Sequence, residues 1–412
     1  MHNQAKLTEL LSYLSTHSSY YKQLFKDKNI DISTLKSTAD LQQLPFTTKD
    51  DLALNNEAFL CVPKSKIVDY VSTSGTLSNP VSFYLTEQDL ERLGTNEKES
   101  LMLAGGSEKD IFQMMVTMDK QFMAGLAYYL GVRKLKAGVV RQGPGSPHSQ
   151  LETILKFKST VIIAIPSFII KLIEHAKSKN IDLNTTSVKT IICIGEAIRD
   201  IDFNFNELGK RITNQWNVKL HSTYASTEIG AAFTECKEGK GGHLNPDLLL
   251  LEVVDEQGVA VKDGELGEVV VSTLGVEGMP LLRYKTGDLC HVYYSKCKCG
   301  SDTPRLGPVV GRKQQMIKYK GTTIFPPSIF DVLAKENVDL YQVQVKKNEL
   351  GIDNVTVVLT SGYNTEKRIK ELKSSFKATI RVTPSFEFVA KNELMNLVFS
   401  QDKRKPEKIK FL

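Results

Sequence analysis

Four short apolar runs, at 111–116, 138–140, 160–163 and 190–194, alternate with segments long enough to form helices. A parallel pair of strands needs a long crossover, and a helix supplies it, so this alternation points to a parallel sheet and an α/β fold. The next runs, at 248–255, 267–273 and 289–293, are closely spaced. The turns Asp255-Glu256-Gln257-Gly258 and Lys262-Asp263-Gly264-Glu265 lie between them and suit antiparallel pairing. Upstream, Leu7, Leu10, Leu11 and Leu14 follow a helical stripe of core packing, 64–83 reads as strand, polar loop and strand, and 86–104 reads as a helix. After Gly311-Arg312 the pattern becomes strands at 343–346, 354–359 and 385–388 with helices near 328–334 and 366–377. The expected architecture is a large N-terminal domain of α/β sheets, 1–312, that includes a small β subdomain at about 246–311. A small mobile α+β C-terminal lid domain, 313–412, follows it.

A chain of 412 residues suits about two to three domains. Lysine and arginine number 53 against 47 aspartates and glutamates, and the resulting +6 is spread along the chain. That mild excess fits an anionic small molecule and gives no reason to expect nucleic acid as a partner. Met1-His2-Asn3-Gln4 lacks the basic start and apolar stretch of a signal peptide, and the most apolar run, 161–173, is broken by Pro166 and too short to span a bilayer. A cytoplasmic protein with no membrane span is expected, its six cysteines reduced.

The run Tyr224-Ala225-Ser226-Thr227-Glu228-Ile229-Gly230 places a hydroxyl beside a carboxylate on a short turn. That pair suits Mg²⁺ and a nucleotide phosphate. In Arg283-Tyr284-Lys285-Thr286-Gly287-Asp288-Leu289 a carboxylate sits on a glycine-hinged loop, which suits a ribose diol. Ser72-Thr73-Ser74-Gly75-Thr76 is a hydroxyl-rich loop that can surround a polyphosphate or be a plain surface turn, and it lacks the Gly-Lys-Ser/Thr ending of a Walker A loop. Gly195-Glu196-Ala197 ends an apolar strand where ligands of open α/β sheets bind, although a simple strand-end turn explains it equally well.

Taken in order, these motifs resemble the phenylacetate–coenzyme A ligase branch of the adenylate-forming (acyl/aryl-CoA synthetase) superfamily. The resemblance runs from about residue 18 to about residue 329 and includes Gly264-Glu265-Leu266-Gly267-Glu268, Pro304-Arg305-Leu306-Gly307, Gly311-Arg312 and Lys320-Gly321. It implies ATP-dependent activation of an aryl or apolar carboxylic acid to an acyl-adenylate, then transfer to a thiol, most simply coenzyme A, with release of AMP and pyrophosphate. The alternatives are transfer to a carrier-protein thiol or an amine, or a non-catalytic relative that binds nucleotide or acyl-adenylate. A homodimer is compatible with any of these. By position, Ser72, Thr73, Ser74, Gly75 and Thr76 would wrap the phosphates, while Gly195, Glu196, Ala197 and Tyr224 would form the adenine slot. Thr227 would touch the α-phosphate, Glu228 the Mg²⁺, and Asp288 the ribose, with Arg312 nearby. Met123, Ala124, Tyr128, Gly143 and Ala225 would line the acyl pocket and Gly321 the thiol tunnel.

Three places depart from that family pattern. The phosphate loop, usually Thr-Thr-Gly-Lys-Pro, reads Thr76-Leu77-Ser78-Asn79-Pro80 and so loses its cation; phosphate affinity should weaken unless another base compensates. Gln314-Gln315 stand where the hinge usually has Asp. In the basic tail, setting Ile409 on the family's aliphatic position makes Lys405 the catalytic lysine, with Lys403 second. A solvated basic tail is the competing explanation. Separately, Cys236, His243, Cys297 and Cys299 have the residue types and spacing of a tetrahedral structural Zn²⁺ site, and the same branch has a similar arrangement. Ordinary reduced cysteines are the other reading.

Overall fold

The computed structural model describes residues 2–35, 37–73, 81–348, 353–399 and 406–412. The chain divides into two compact units, Met1–Val309 and Val310–Leu412. Ser74, Gly75, Thr76, Lys403 and Lys405 lie outside the described residues.

In the first unit, β1 (Ile67–Ser72) and β2 (Ser82–Thr86) form an antiparallel pair. A parallel set follows: β3 (Ile111–Met114), β4 (Gly138–Val140), β5 (Val161–Ala164), β6 (Thr190–Ile194) and β7 (Lys219–Ser226). Helices Met123–Lys134, Pro147–Phe157 and Pro166–Ser178 lie between these strands in sequence. β5 and β6 read as near-continuous apolar runs because both of their faces are buried. Along β5, Val161 and Ile163 pack into the core on one side, whereas Ile162 and Ala164 join that on the other. β6 alternates in the same way, with Ile191 and Cys193 facing one core and Ile192 and Ile194 the other.

β7 is where the sheet changes character. Its β6 side is parallel, while on its other side β8 (Ala231–Glu235) runs antiparallel. The order then continues through β9 (Gly242–His243), β13 (Arg305–Leu306), β12 (Tyr284–Tyr293), β11 (Leu266–Thr273) and β10 (Leu249–Val254). The strands of 246–311, read from sequence as a β subdomain, are antiparallel to one another. They are nevertheless hydrogen-bonded into the same sheet as the parallel half, because β9 pairs with both β8 and β13. Their core also takes in Leu7, Leu10, Leu11 and Leu14 of the first helix.

The second unit has its own core, built around Val343, Val357, Leu372 and Phe376. Its four-stranded sheet has the order Ser385–Val389, Asp353–Thr360, Gln342–Lys347, Ile409–Phe411. Helices Pro326–Lys335, Glu366–Ile380 and Lys391–Val398 complete it. The last strand was not foreseen in the basic tail. It forms because Ile409 pairs in register with Val343, a partner distant in sequence.

Candidate functional site

The carboxyl ends of β6 and β7 lie side by side, with Ile194 opposite Thr223, so Gly195 and Tyr224 emerge next to each other. Gly195 has φ +74°, which disfavours other residues, and the space where a Cβ would project is empty to 4 Å. The Glu196 carboxylate accepts a hydrogen bond from Ser167 N (2.9 Å) at the start of helix Pro166–Ser178. It thus has a structural role at that helix end, where a negative charge is favoured. Asn206 Nδ2 donates to the carbonyl of Ala197 (2.8 Å), which fixes the backbone leaving β6.

The β7–β8 turn carries Thr227 and Glu228 at its tip, both half-buried. Ser226 closes it from both sides: its Oγ accepts from Ile229 N (3.3 Å), and its carbonyl accepts from Gly230 N (3.3 Å). Gly230 has φ +57°, as the tight return requires. Arg92, buried in helix Glu87–Leu103, clamps the turn from beneath by donating to the carbonyls of Gly230 (2.5 Å), Leu248 (2.6 Å) and Leu274 (2.7 Å). Burial pushes the Arg92 guanidinium down to about 10.

Asp288 reaches this turn through a bulge. Opposite β11, Val270 pairs with Lys285 and Glu268 with Leu289, so Val269 faces the three residues Thr286, Gly287 and Asp288. Thr286 Oγ1 donates to Val269 O (2.9 Å) and accepts from Asp288 N (3.1 Å), while Gly287 takes φ +76°. The bulge presents Asp288, 5% exposed, to Tyr224, whose hydroxyl donates to Asp288 Oδ2 at 2.9 Å. Burial and then the Asp288 charge hold the Tyr224 phenol well above its usual pKa, so it remains a donor. The two motifs, 64 residues apart, therefore meet side chain to side chain. Tyr284, at the start of β12, adds a hydroxyl 3.5 Å from Glu228 Oε1, and Lys49 Nζ lies 4.0 Å from the same oxygen. Neither Lys49 nor Arg92 was singled out from sequence, where each reads as a cation on an amphipathic helix. A Thr48/Asp51 capping box begins the helix that carries Lys49, a signal of local structure only.

Of the expected phosphate residues, Ser72 is half-buried at the end of β1, and its N donates to Gln121 O (3.1 Å). Thr73 is 6% exposed; its Oγ1 accepts from Val81 N (3.0 Å) and its N donates to Val81 O (3.0 Å). Its hydroxyl is thus part of the clasp joining 73 to 81. Met123 lines a small hollow with Phe83, Leu85, Leu93 and Met279, which Asp89, Arg92, Thr227 and Glu228 also border. Ala124 is half-buried and Ala225 exposed, while Gly143 has φ +69° with empty space in front of it. Tyr128 is packed into the sheet core with Phe112, Met114 and Ile194, only 3% exposed. Arg312 and Gly321 belong to the second unit. Arg312 is exposed, and Gly321 follows Lys320 in a two-residue hairpin in which both have positive φ, +49° and +77°.

A second cluster forms where β8, β9 and the segment before β13 converge. The Cys236, Cys297 and Cys299 sulfurs and a ring nitrogen of His243 all lie within 4.8 Å of one another. Cys236 and Cys297 Sγ are 3.8 Å apart, and Cys299 Sγ is 3.7 Å from His243 Nε2. His243 Nδ1 meets Thr303 Oγ1 at 3.1 Å, which leaves Nε2 turned to the sulfurs. Burial pushes the Cys236 thiol up to about 12, and burial also lowers the His243 pKa. Gly300, at φ +102°, lets the chain curl so that its N donates to Cys297 O (3.0 Å).

The family model for AMP-binding enzymes matches residues 25–278. Phenylacetate-coenzyme A ligase of Thermus thermophilus is 28% identical over 351 residues, 84% of this chain and 77% of that protein. The ligase of the same name from Aromatoleum evansii is 28% identical over 322 residues, 77% of this chain and 71% of that protein. A crystal structure of 2-hydroxyisobutyryl-CoA ligase in the postadenylation state superposes with a TM-score of 0.85 at 20% identity, covering 100% of this chain and 89% of that one. That likeness concerns the fold.

Proposed function

Because this chain belongs to the AMP-binding enzyme family, we propose that it is an AMP-forming acid–thiol ligase that uses ATP to join a carboxylic acid to coenzyme A. A carboxylate oxygen attacks the α-phosphorus, the bond from that phosphorus to the bridging oxygen breaks, and pyrophosphate leaves with the electron pair. The thiol sulfur then attacks the acyl carbon, its proton is lost, and AMP leaves. Such chemistry depends on positioning and charge neutralisation more than on covalent help from the protein.

The observation that carries this reading is the 2.9 Å hydrogen bond from Tyr224 to Asp288, which joins the two motifs beside Thr227 and Glu228. Asp288 accepts the ribose hydroxyls, and Tyr224 with Gly195 and Ala197 borders the adenine. Thr227 donates to the α-phosphate, and Ser72 to Thr76 take the outer phosphates. The Glu228 carboxylate, half-buried beside a hydroxyl, fits a hard cation, and it holds Mg²⁺. When bound, that ion neutralises phosphate charge. Met123 and Ala124, which stand at acyl-pocket positions in the family pattern, favour an apolar or aromatic acid. By their positions in the family pattern, Arg312, Gly321 and Lys405 of the second unit serve the nucleotide, the thiol and the adenylation step respectively. Three thiolates and one imidazole leave no open position at the cysteine cluster, so a Zn²⁺ ion there is structural. That role suits a reducing, cytoplasmic setting.

The test is acid-dependent ATP–pyrophosphate exchange across a panel of aryl and short aliphatic acids, followed by acyl-thioester formation with coenzyme A. Exchange with at least one acid and a coenzyme A product are expected. ATP binding without exchange for any acid would contradict the reading. Exchange without a coenzyme A product would redirect it to a carrier-protein thiol or an amine.

A further inference from the structure

The Glu228 carboxylate has a neighbour outside the motifs. Lys49 Nζ stands 4.0 Å from Glu228 Oε1, with side chains 28% and 12% exposed. At that separation the two attract without forming a hydrogen bond.

The backbone under Lys49 is firmly held. Thr47 N donates to Arg283 O (3.0 Å), and Lys285 N donates to Thr47 O (2.9 Å), so this segment runs along Tyr284. Thr47 Oγ1 also donates to Leu282 O (2.7 Å). One residue on, Thr48 and Asp51 form a reciprocal cap. From this fixed backbone the four-carbon stem of Lys49 carries its ammonium to the Glu228 carboxylate.

Other cations near this turn are already engaged. Arg92 spends its donors on three carbonyls. Arg283 makes a two-pronged pair with Glu252 (2.8 and 3.0 Å) and donates to Leu44 O. Lys285 lies 3.6 Å from Glu268 and over the Phe46 ring. Meanwhile Thr76-Leu77-Ser78-Asn79-Pro80 contains no lysine or arginine.

An ammonium and a divalent cation on one carboxylate repel each other. If Glu228 takes Mg²⁺ with the nucleotide, Lys49 must leave it, and the anion within reach is then the polyphosphate. We propose that Lys49 is a phosphate-binding residue, which rests on Glu228 in the free protein and passes to an outer phosphate of ATP when nucleotide and cation bind. It supplies the charge that the phosphate loop lacks. This rests on the functional reading above, through the role of Glu228.

The test is calorimetric titration of the full chain with Mg²⁺–ATP and, separately, with AMP, for the wild type, Lys49→Gln and Lys49→Arg. AMP lacks the outer phosphates, so a lysine that binds them affects ATP alone. Lys49→Gln is expected to weaken ATP by about ten- to hundredfold, the worth of a charge-assisted hydrogen bond, while AMP changes by less than about twofold. Lys49→Arg should recover most of the ATP affinity. Unchanged ATP affinity in Lys49→Gln, or an equal loss for ATP and AMP, would overturn the proposal while leaving the ligase reading intact. A wild type that binds neither nucleotide would overturn both.

Discussion

The molecule carries two clusters of ligand-bearing side chains, built to opposite rules. Around Glu228 and Asp288 the donors are oxygens on a tight turn and a strand bulge, held in place by Arg92, Thr286 and Tyr224. At Cys236, His243, Cys297 and Cys299 they are sulfur and nitrogen, mostly buried and close enough to share one ion. Hard oxygen donors left partly open suit ligands that must come and go, whereas a closed soft set suits an ion that stays. Damage to the first should therefore cost turnover and spare folding, and damage to the second should do the reverse.

The largest expected effect is on the oxygen side. Glu228→Gln keeps the shape but removes the charge, and exchange should fall by about 10²–10³-fold, the usual loss for one electrostatic stabiliser. Thermal unfolding should stay close to wild type, because a half-buried charge whose neighbours are a hydroxyl at 3.5 Å and an ammonium at 4.0 Å contributes little to stability. A large fall in melting temperature would blur the contrast. On the sulfur side, Cys297→Ser should lower stability by ~3 kcal/mol or more in denaturant unfolding and lower the zinc content from about one ion per chain. Adenylate formation should fall only as far as the folded fraction does. Full stability together with loss of exchange would reverse the assignment.

A third comparison uses pH. Glu97 is buried on the helix that carries Arg92; Asn96 Nδ2 donates to its Oε1 (3.2 Å), and its Oε2 makes no hydrogen bond among the described residues. Burial raises its pKa from 4.5 to about 7. A carboxyl whose pKa is higher in the folded state binds its proton more tightly there. Its stabilisation is therefore full below pH 4.5 and is lost as pH rises through about 7. Glu97→Gln should add up to ~3 kcal/mol at pH 8.5 and little at pH 4.5, as read by urea unfolding. An equal gain at both pH values would assign the effect to packing. The smallest effect is expected from Tyr224→Phe. It removes the hydrogen bond to Asp288 and should cost about five- to tenfold in exchange, roughly 1 kcal/mol.

What could be read from sequence follows the same physics. β6 was placed to the residue because a strand buried on both faces is continuously apolar, and β4, half-exposed at the sheet edge, was placed by its short apolar run between two helix-length segments. β12 was placed at 289–293 yet begins at Tyr284, since the polar bulge Thr286-Gly287-Asp288 breaks the apolar signal at the point that aims Asp288. The cysteine pattern was visible locally. Its closure depends on β9 pairing with both β8 and β13, which only the fold provides. Lys49 and Arg92 were missed because their roles lie in what surrounds them: a carboxylate from a distant turn, and three backbone carbonyls. Tyr128, named for the acyl pocket, is buried in the core with Leu101 of the neighbouring helix and Phe112, Met114 and Ile194 of the sheet.

The central claim is that residues 224–230 and 283–289 make a single nucleotide site that activates an acid. Acid-dependent ATP–pyrophosphate exchange in the wild type and in Asp288→Ala tests it most directly. The account predicts exchange with at least one acid in the wild type and a loss of about 10²-fold or more in the variant. Exchange in Asp288→Ala at the wild-type rate, or none in a wild type that still binds ATP, would contradict it.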